Sequence, residues 1–161
     1  MRILGIDCGS RVTGYGLIDT DGTRHKLVEA GVIETNASDP LAGKLLEIGS
    51  RLREVVAEFQ PDEAAVEDTF TALNARSALK LTHVRGVALF ICAEAGLAVG
   101  EYSPAQVKLA LAGNGRAEKQ QVEWMTRALL GLTEPIASLD ASDAVAVAIC
   151  HATQRPVSAN R

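Results

Sequence analysis

Arg2-Ile3-Leu4-Gly5-Ile6-Asp7-Cys8-Gly9-Ser10-Arg11-Val12-Thr13-Gly14-Tyr15-Gly16 is the stretch from which the fold can be read. Arg2 to Asp7 has the short apolar run of a buried strand, and it ends on an acid. Gly9, Gly14 and Gly16 surround a turn into a second strand, about Val12 to Asp19. Asp21-Gly22 is the signature of a two-residue hairpin, because such turns match the twist of paired strands. A third strand, about His25 to Glu34, then completes an antiparallel meander.

Working outward, the period changes after Asp39-Pro40. Leu41, Leu45, Ile48, Leu52, Val55 and Phe59 recur at three- and four-residue steps, which predicts a helix with one buried face, stopped by Gln60-Pro61. Ala64-Ala65-Val66 predicts a fourth strand running into Glu67. A long helix follows over about Asn74 to Ala95, ended by Gly96, and then a strand over Leu97 to Tyr102. Pro104 opens a short helix through Ala110, and Gly113-Asn114-Gly115 breaks it. Two further helices are expected over about Ala117 to Leu130 and Asp140 to Ala152. Three strands followed by alternating helices and strands imply an α/β fold. Its mixed five-stranded sheet joins an antiparallel meander to parallel strands reached by right-handed crossovers, with helices on its flanks. That is the ribonuclease-H-like plan, whose chemistry lies outside the carboxyl ends of the central parallel strands.

With 161 residues, 47% of them apolar but only six aromatic, the chain suits one domain with a core of Ala, Val, Leu and Ile. Residues 1–155 are expected to form it, with a frayed polar tail over 156–161. Cys8, Cys92 and Cys150 are odd in number and lack CxxC spacing, and neither an export signal nor a membrane span is evident. A reduced, cytoplasmic protein is the expectation. The net charge of −4 argues against a protein that merely coats nucleic acid. Between Thr71 and Ile91, however, the charged residues are Arg76, Lys80 and Arg85, with His83 beside them and no acid, so a nucleic-acid surface would begin there.

The acids carry the chemistry. Asp7 and Glu67 each end an apolar strand, where an ionised side chain is costly unless a cation compensates. Asp68 should point to the opposite side of the sheet, as a solvated neighbour. Asp140 and Asp143 lie three apart at the start of the last helix, on one face of its first turn, an arrangement that also suits an N-cap with an acid at the third position. Four carboxylates favour hard divalent cations, Mg²⁺ or Mn²⁺, and two such ions can act on a phosphodiester. His151, eight residues after Asp143, reads as a packed or surface histidine, and no zinc-ligand spacing exists around His25 or His83.

These strings resemble a known family. Residues 2–16, Val66-Glu67-Asp68-Thr69-Phe70, 74–81, 106–108, 113–122 and 140–151, in that order, are similar to the RuvC family of Holliday junction resolvases. The resemblance implies a homodimeric, metal-dependent endonuclease that resolves four-way DNA junctions by paired symmetric nicking in recombination and repair. It places the catalytic and metal-binding acids on Asp7, Glu67, Asp140 and Asp143. The last two acidic positions are not invariably both Asp in relatives, one sometimes being His. It further implies DNA contacts by Lys108 and Lys119, stacking by Phe70, and partnership with the branch-migration proteins RuvA and RuvB. Arg76, Lys80 and Arg116 join the expected DNA-binding set. Where the family commonly has Pro, Cys8 would bring a free thiol beside the metals.

Two rivals use the same features otherwise. Gly5-Ile6-Asp7 with Gly9 and Gly14 also resembles the first phosphate loop of actin-like ATPases and sugar kinases, but those need a second domain for which 161 residues leave no room. A non-catalytic junction binder would be indifferent to its acids. In the long helix, Leu81, Val84, Ala88 and Ile91 form one apolar row, and Leu79, Val87 and Phe90 widen it beyond what one sheet can cover. A second copy across a two-fold axis is the expected partner for that surface.

Overall fold

The computed structural model describes residues 1–68 and 75–154. Five strands, β1 (Arg2–Asp7), β2 (Val12–Thr20), β3 (His25–Glu34), β4 (Glu63–Glu67) and β5 (Ala98–Tyr102), form one sheet in the order β3-β2-β1-β4-β5. β1, β2 and β3 pair antiparallel, while β1 with β4 and β4 with β5 pair parallel. This is the mixed sheet that the meander and crossovers predict. The helices are α1 (Leu41–Phe59), α2 (Ala75–Glu94), α3 (Pro104–Ala112), α4 (Lys119–Leu130) and α5 (Leu139–Gln154). Among the described residues no helix is long and apolar enough to cross a membrane.

Strand alternation divides the core in two. Leu4, Ile6, Leu17, Ala64 and Val66 pack toward α1 and α2, against Ile48, Leu52, Val84 and Ala88. Ile3, Ile18 and Ala65 face α5, which fills the other side with Val145, Ala148 and Ile149 and is flanked by Val107, Leu111 and Val122 of α3 and α4. From Ala144 to Ala152 every residue of α5 is buried.

Strand glycines set how closely α5 lies. A Cβ at Gly5 would stand 2.8 Å from the Ala148 nitrogen, one at Gly14 2.5 Å from the Asp140 carbonyl carbon, and one at Gly16 2.9 Å from the Val145 nitrogen. Gly14 and Gly16 lie within β2, inside the strand expected over about Val12 to Asp19, and their missing side chains let a helix backbone rest on the sheet.

Three local expectations are corrected. The β2–β3 connection is a four-residue loop rather than a two-residue turn: the Asp21 carboxylate accepts from the backbone N–H groups of Thr23 (2.9 Å) and Arg24 (2.8 Å), and Gly22 takes φ 96°. α3 runs two residues further than Ala110. It is started by a capping box in which Ser103 and Gln106 satisfy each other's backbone N–H groups, and closed by Gly113 at φ 68°. The signal was present in Ser103-Pro104-Ala105-Gln106. Last, α5 begins at Leu139, with Ser142 N–H donating to Ser138 O at 2.9 Å, so Asp140 sits inside the first turn and is not its N-cap.

Candidate active site

Asp7 and Glu67 end two adjacent strands. Ile6 pairs with Val66 in parallel register, so the next residues of β1 and β4 emerge together at the carboxyl end of the sheet. Both follow odd-numbered neighbours, Ile3 and Gly5 on one strand and Ala65 on the other, that face α5, and alternation therefore sends both carboxylates to that side. There α5 begins. Gly14, the antiparallel partner of Asp7, lies directly under the Asp140 backbone, and this close contact brings the first turn of α5 to the strand ends.

The electrostatics register the gathering. Asp7 is pushed up to about 7, first by burial and then by the charges of Asp143 and Asp140, with Lys119 opposing. Glu67 is also pushed up to about 7, by burial and then by Asp7 and Asp143, with Lys119 and Lys108 opposing. Asp143 is raised by burial, although the Lys119 ammonium donates to its Oδ2 at 2.7 Å and counters the shift. Lys119 itself is held above its ordinary value, chiefly by that hydrogen bond. Acids that resist ionisation at the mouth of a sheet are short of positive charge.

A cavity of about 150 Å³ opens beside them, lined by Glu67, Asp143, Lys108 and Lys119 and walled by Pro104, Val107, Val122 and Ala146. Asp7 and Asp140 are not among its lining residues. Among the described residues no three or more His, Cys, Asp and Glu side chains are drawn together closely enough to hold a metal ion. The donor chemistry nonetheless fits a hard cation: the acids supply oxygen only, no histidine or thiolate joins them, and burial has raised the cost of leaving them uncompensated.

The other expected site residues divide by place. Lys108 and Lys119 reach the cavity from α3 and α4. Arg116 is exposed in the α3–α4 connection, its backbone N–H on Asn114 Oδ1 at 3.0 Å. Arg76 and Lys80 are exposed on the first turns of α2. Phe70 lies outside the described residues.

Four expectations change. Arg85 is not a free basic residue: its guanidinium reaches Asp68 at 3.6 Å and binds Glu101. Asp68 does point to the opposite side of the sheet, but half-buried beside Arg85 rather than fully solvated. Cys8 turns away from Asp7 into the core beneath α1 and α2, 4% exposed, and burial together with the Asp7 charge drives its thiol far above the ordinary range. No thiolate faces the acids. His151 is buried as expected for a packed histidine, yet it also makes two hydrogen bonds that spacing gave no sign of: Nε2 to Glu63 Oε2 at 2.7 Å and Nδ1 to the Tyr102 hydroxyl at 2.8 Å.

Comparison with known proteins bears on what these acids do. The family model "Crossover junction endodeoxyribonuclease RuvC" matches residues 3–151. A protein of that name from Syntrophotalea carbinolica is 54% identical over 152 residues, covering 94% of this chain and 94% of the relative. Among solved structures, RuvC of Thermus thermophilus in complex with Holliday junction substrate superposes with a TM-score of 0.90 at 36% identity, over 95% of this chain and 93% of that one. The yeast mitochondrial Holliday junction resolvase shares the fold at a TM-score of 0.68 and 10% identity, over 94% of this chain and 77% of that one. A match that runs nearly from end to end, and that includes both strand-end acids and the α5 pair, identifies the chain as a member of the RuvC family of crossover junction endodeoxyribonucleases.

Proposed function

We propose that this chain is a metal-dependent endonuclease that resolves four-way DNA junctions by nicking two opposed strands, with Asp7, Glu67, Asp140 and Asp143 as its catalytic acids. The observation that carries this is the placement of Asp7 and Glu67 at the adjacent carboxyl ends of β1 and β4, with the first turn of α5 and its Asp140 and Asp143 brought against them, where burial and neighbouring acids push both strand-end carboxyls up. Such a pair suits a site completed by divalent cations. The four acids would hold Mg²⁺ or Mn²⁺, two per site, and these ions supply the positive charge and Lewis acidity that phosphodiester hydrolysis needs.

The chain's own groups do the rest. Lys119 neutralises Asp143 and can exchange that contact for a phosphate oxygen, while Lys108, which lines the same cavity, offers a second point charge for the backbone. Pro104, Val107, Val122 and Ala146 exclude water from one side of the cleft, which strengthens every charge interaction inside it. The exposed Arg76, Lys80 and Arg116 would offer further charges to the DNA backbone, and Phe70 would stack on bases at the junction.

Residues 1–155 would act as a single nuclease domain, in a homodimer built on α2. Val84, Ala88 and Ile91 are buried within the chain, whereas Leu79 and Phe90 remain 61% and 59% exposed. They border a cavity of about 400 Å³ with Leu45, His83, Gly86 and Val87. A Cβ at Gly86 would meet nothing within 4 Å, so a second helix can approach closely there. A two-fold axis through this face would set two equivalent sites against opposed strands of a junction. Work in the cytoplasm with the branch-migration proteins RuvA and RuvB completes the reading. Incubating the protein with a synthetic four-way junction, with and without Mg²⁺ or Mn²⁺, tests it: paired symmetric nicks only with the cation are expected, and metal-independent cleavage or none would defeat it. Junction binding with no cleavage under any cation would favour the non-catalytic binder.

A further inference from the structure

α5 carries Asp140 and Asp143 at one end and is almost featureless beyond them. Its buried face is Ala144, Val145, Ala148, Ile149 and Ala152, resting on Gly5 and Gly16. Apolar contact of this kind is non-directional and holds a helix at a distance more firmly than at a height. Among the described residues, the side-chain hydrogen bonds that tie α5 to the sheet are those of His151, to Glu63 at the start of β4 and to Tyr102 at the end of β5. The ring is 6% exposed and stacks edge-on against Tyr102 at 5.7 Å between centroids. It occupies the space left by Gly100, where a Cβ would stand 2.8 Å from the His151 Cε1 atom.

α5 crosses the sheet obliquely, with Asp140 over Gly14 of β2 at one end and His151 against Gly100 of β5 at the other. His151 anchors the far end of that crossing to Glu63, while Asp143 at the near end meets Glu67 across the cavity that both line. Tyr102 adds a second tie: it pairs with Glu67 in the β4–β5 register, its carbonyl accepts the Asp68 N–H at 2.7 Å, and Ser103, which starts the helix bearing Lys108, follows it directly.

We infer that His151, held between Glu63 and Tyr102, is a positioning residue that sets the height of α5 on the sheet and so aligns the acids of α5 with Glu67. With the imidazole neutral, Nε2–H donates to the Glu63 carboxylate and Nδ1 accepts the Tyr102 hydroxyl proton, so both ring nitrogens are satisfied by a single tautomer. The inference rests on the nuclease reading of the four acids.

The test compares wild type with His151→Ala, His151→Gln, Tyr102→Phe and Gly100→Ala. Four quantities are read: junction affinity without metal, single-turnover cleavage of a synthetic junction, Mn²⁺ affinity by electron paramagnetic resonance, and the circular dichroism melt. Misplacing reacting groups by about 1 Å can cost on the order of 100-fold. His151→Ala is therefore expected to slow cleavage by about 10- to 100-fold and weaken Mn²⁺ binding, with junction affinity within about twofold of wild type. His151→Gln, whose amide can replace Nε2–H toward Glu63, should recover part of both losses. Gly100→Ala, which removes no polar group but displaces the ring, should resemble His151→Ala. Equal Mn²⁺ affinity and cleavage in folded His151→Ala and wild type overturns the inference. If His151→Ala fails to fold, Tyr102→Phe and Gly100→Ala decide, and wild-type rates and Mn²⁺ affinity in both overturn it equally. A wild type that neither binds Mn²⁺ nor cleaves the junction would instead defeat the nuclease reading itself.

Discussion

Asp7→Asn should destroy cleavage and, in the metal-free protein, make the fold more stable. A carboxyl whose folded pKa is raised is costly to the fold wherever the unfolded chain would ionise it. For Asp7 that cost is absent below about pH 4, grows as pH rises, and is complete above about 7, the value to which burial, Asp143 and Asp140 push it. At 1.36 kcal/mol per pH unit, the rise from 3.8 to about 7 corresponds to ~4 kcal/mol. The asparagine amide must still be accommodated where Asp7 is half-buried, which takes back about 1–2 kcal/mol. A net gain of about 2–3 kcal/mol remains, and at about 2–4 °C per kcal/mol for a chain of this size the melting temperature should rise by roughly 4–12 °C. The assay is thermal unfolding in EDTA at about pH 8 and again at about pH 4.5, where Asp7 is already largely protonated and the two proteins should nearly coincide. Adding Mg²⁺ at pH 8 should then stabilise wild type more than the variant, because only wild type regains an attraction in place of a repulsion. A variant no more stable than wild type at pH 8 would refute the claim that these acids are short of positive charge.

Glu67→Gln keeps size and removes one charged oxygen ligand, so cleavage should fall by orders of magnitude on a synthetic junction while a gel-shift assay shows binding retained or tightened. Lys108→Ala and Lys119→Ala should each reduce the slope of log affinity against log salt by about 1, one phosphate contact apiece; an unchanged slope would argue against direct contact. Phe90→Glu puts a charge on the exposed face of α2, and sedimentation should show a shift from twice 17.0 kDa toward monomer with loss of paired incision. Gly5→Ala pushes a methyl against the Ala148 nitrogen and should destabilise by about 1–3 kcal/mol or more, visible in urea unfolding, since neither backbone can yield easily.

Periodicity and turn chemistry in the sequence determined the elements and their order, since each is a local property of a few neighbouring residues. Strand alternation was enough to place Asp7 and Glu67 on strand ends and to turn Asp68 the other way. Three-residue spacing was enough to put Asp140 and Asp143 on one helical face. Tertiary structure decided what depends on residues far apart in the chain. Why Gly14 must be glycine was not legible within its strand, because the α5 backbone it admits lies some 126 residues away. Arg85 looked like a free cation until Asp68 and Glu101 took it up, and Cys8 like a thiol beside the acids until alternation within the assembled sheet sent it into the opposite core. His151 was legible only as a packed or surface histidine. Its partners come from the start of β4 and the end of β5, 88 and 49 residues distant, and no local pattern encodes a hydrogen bond that exists only when helix and sheet have met.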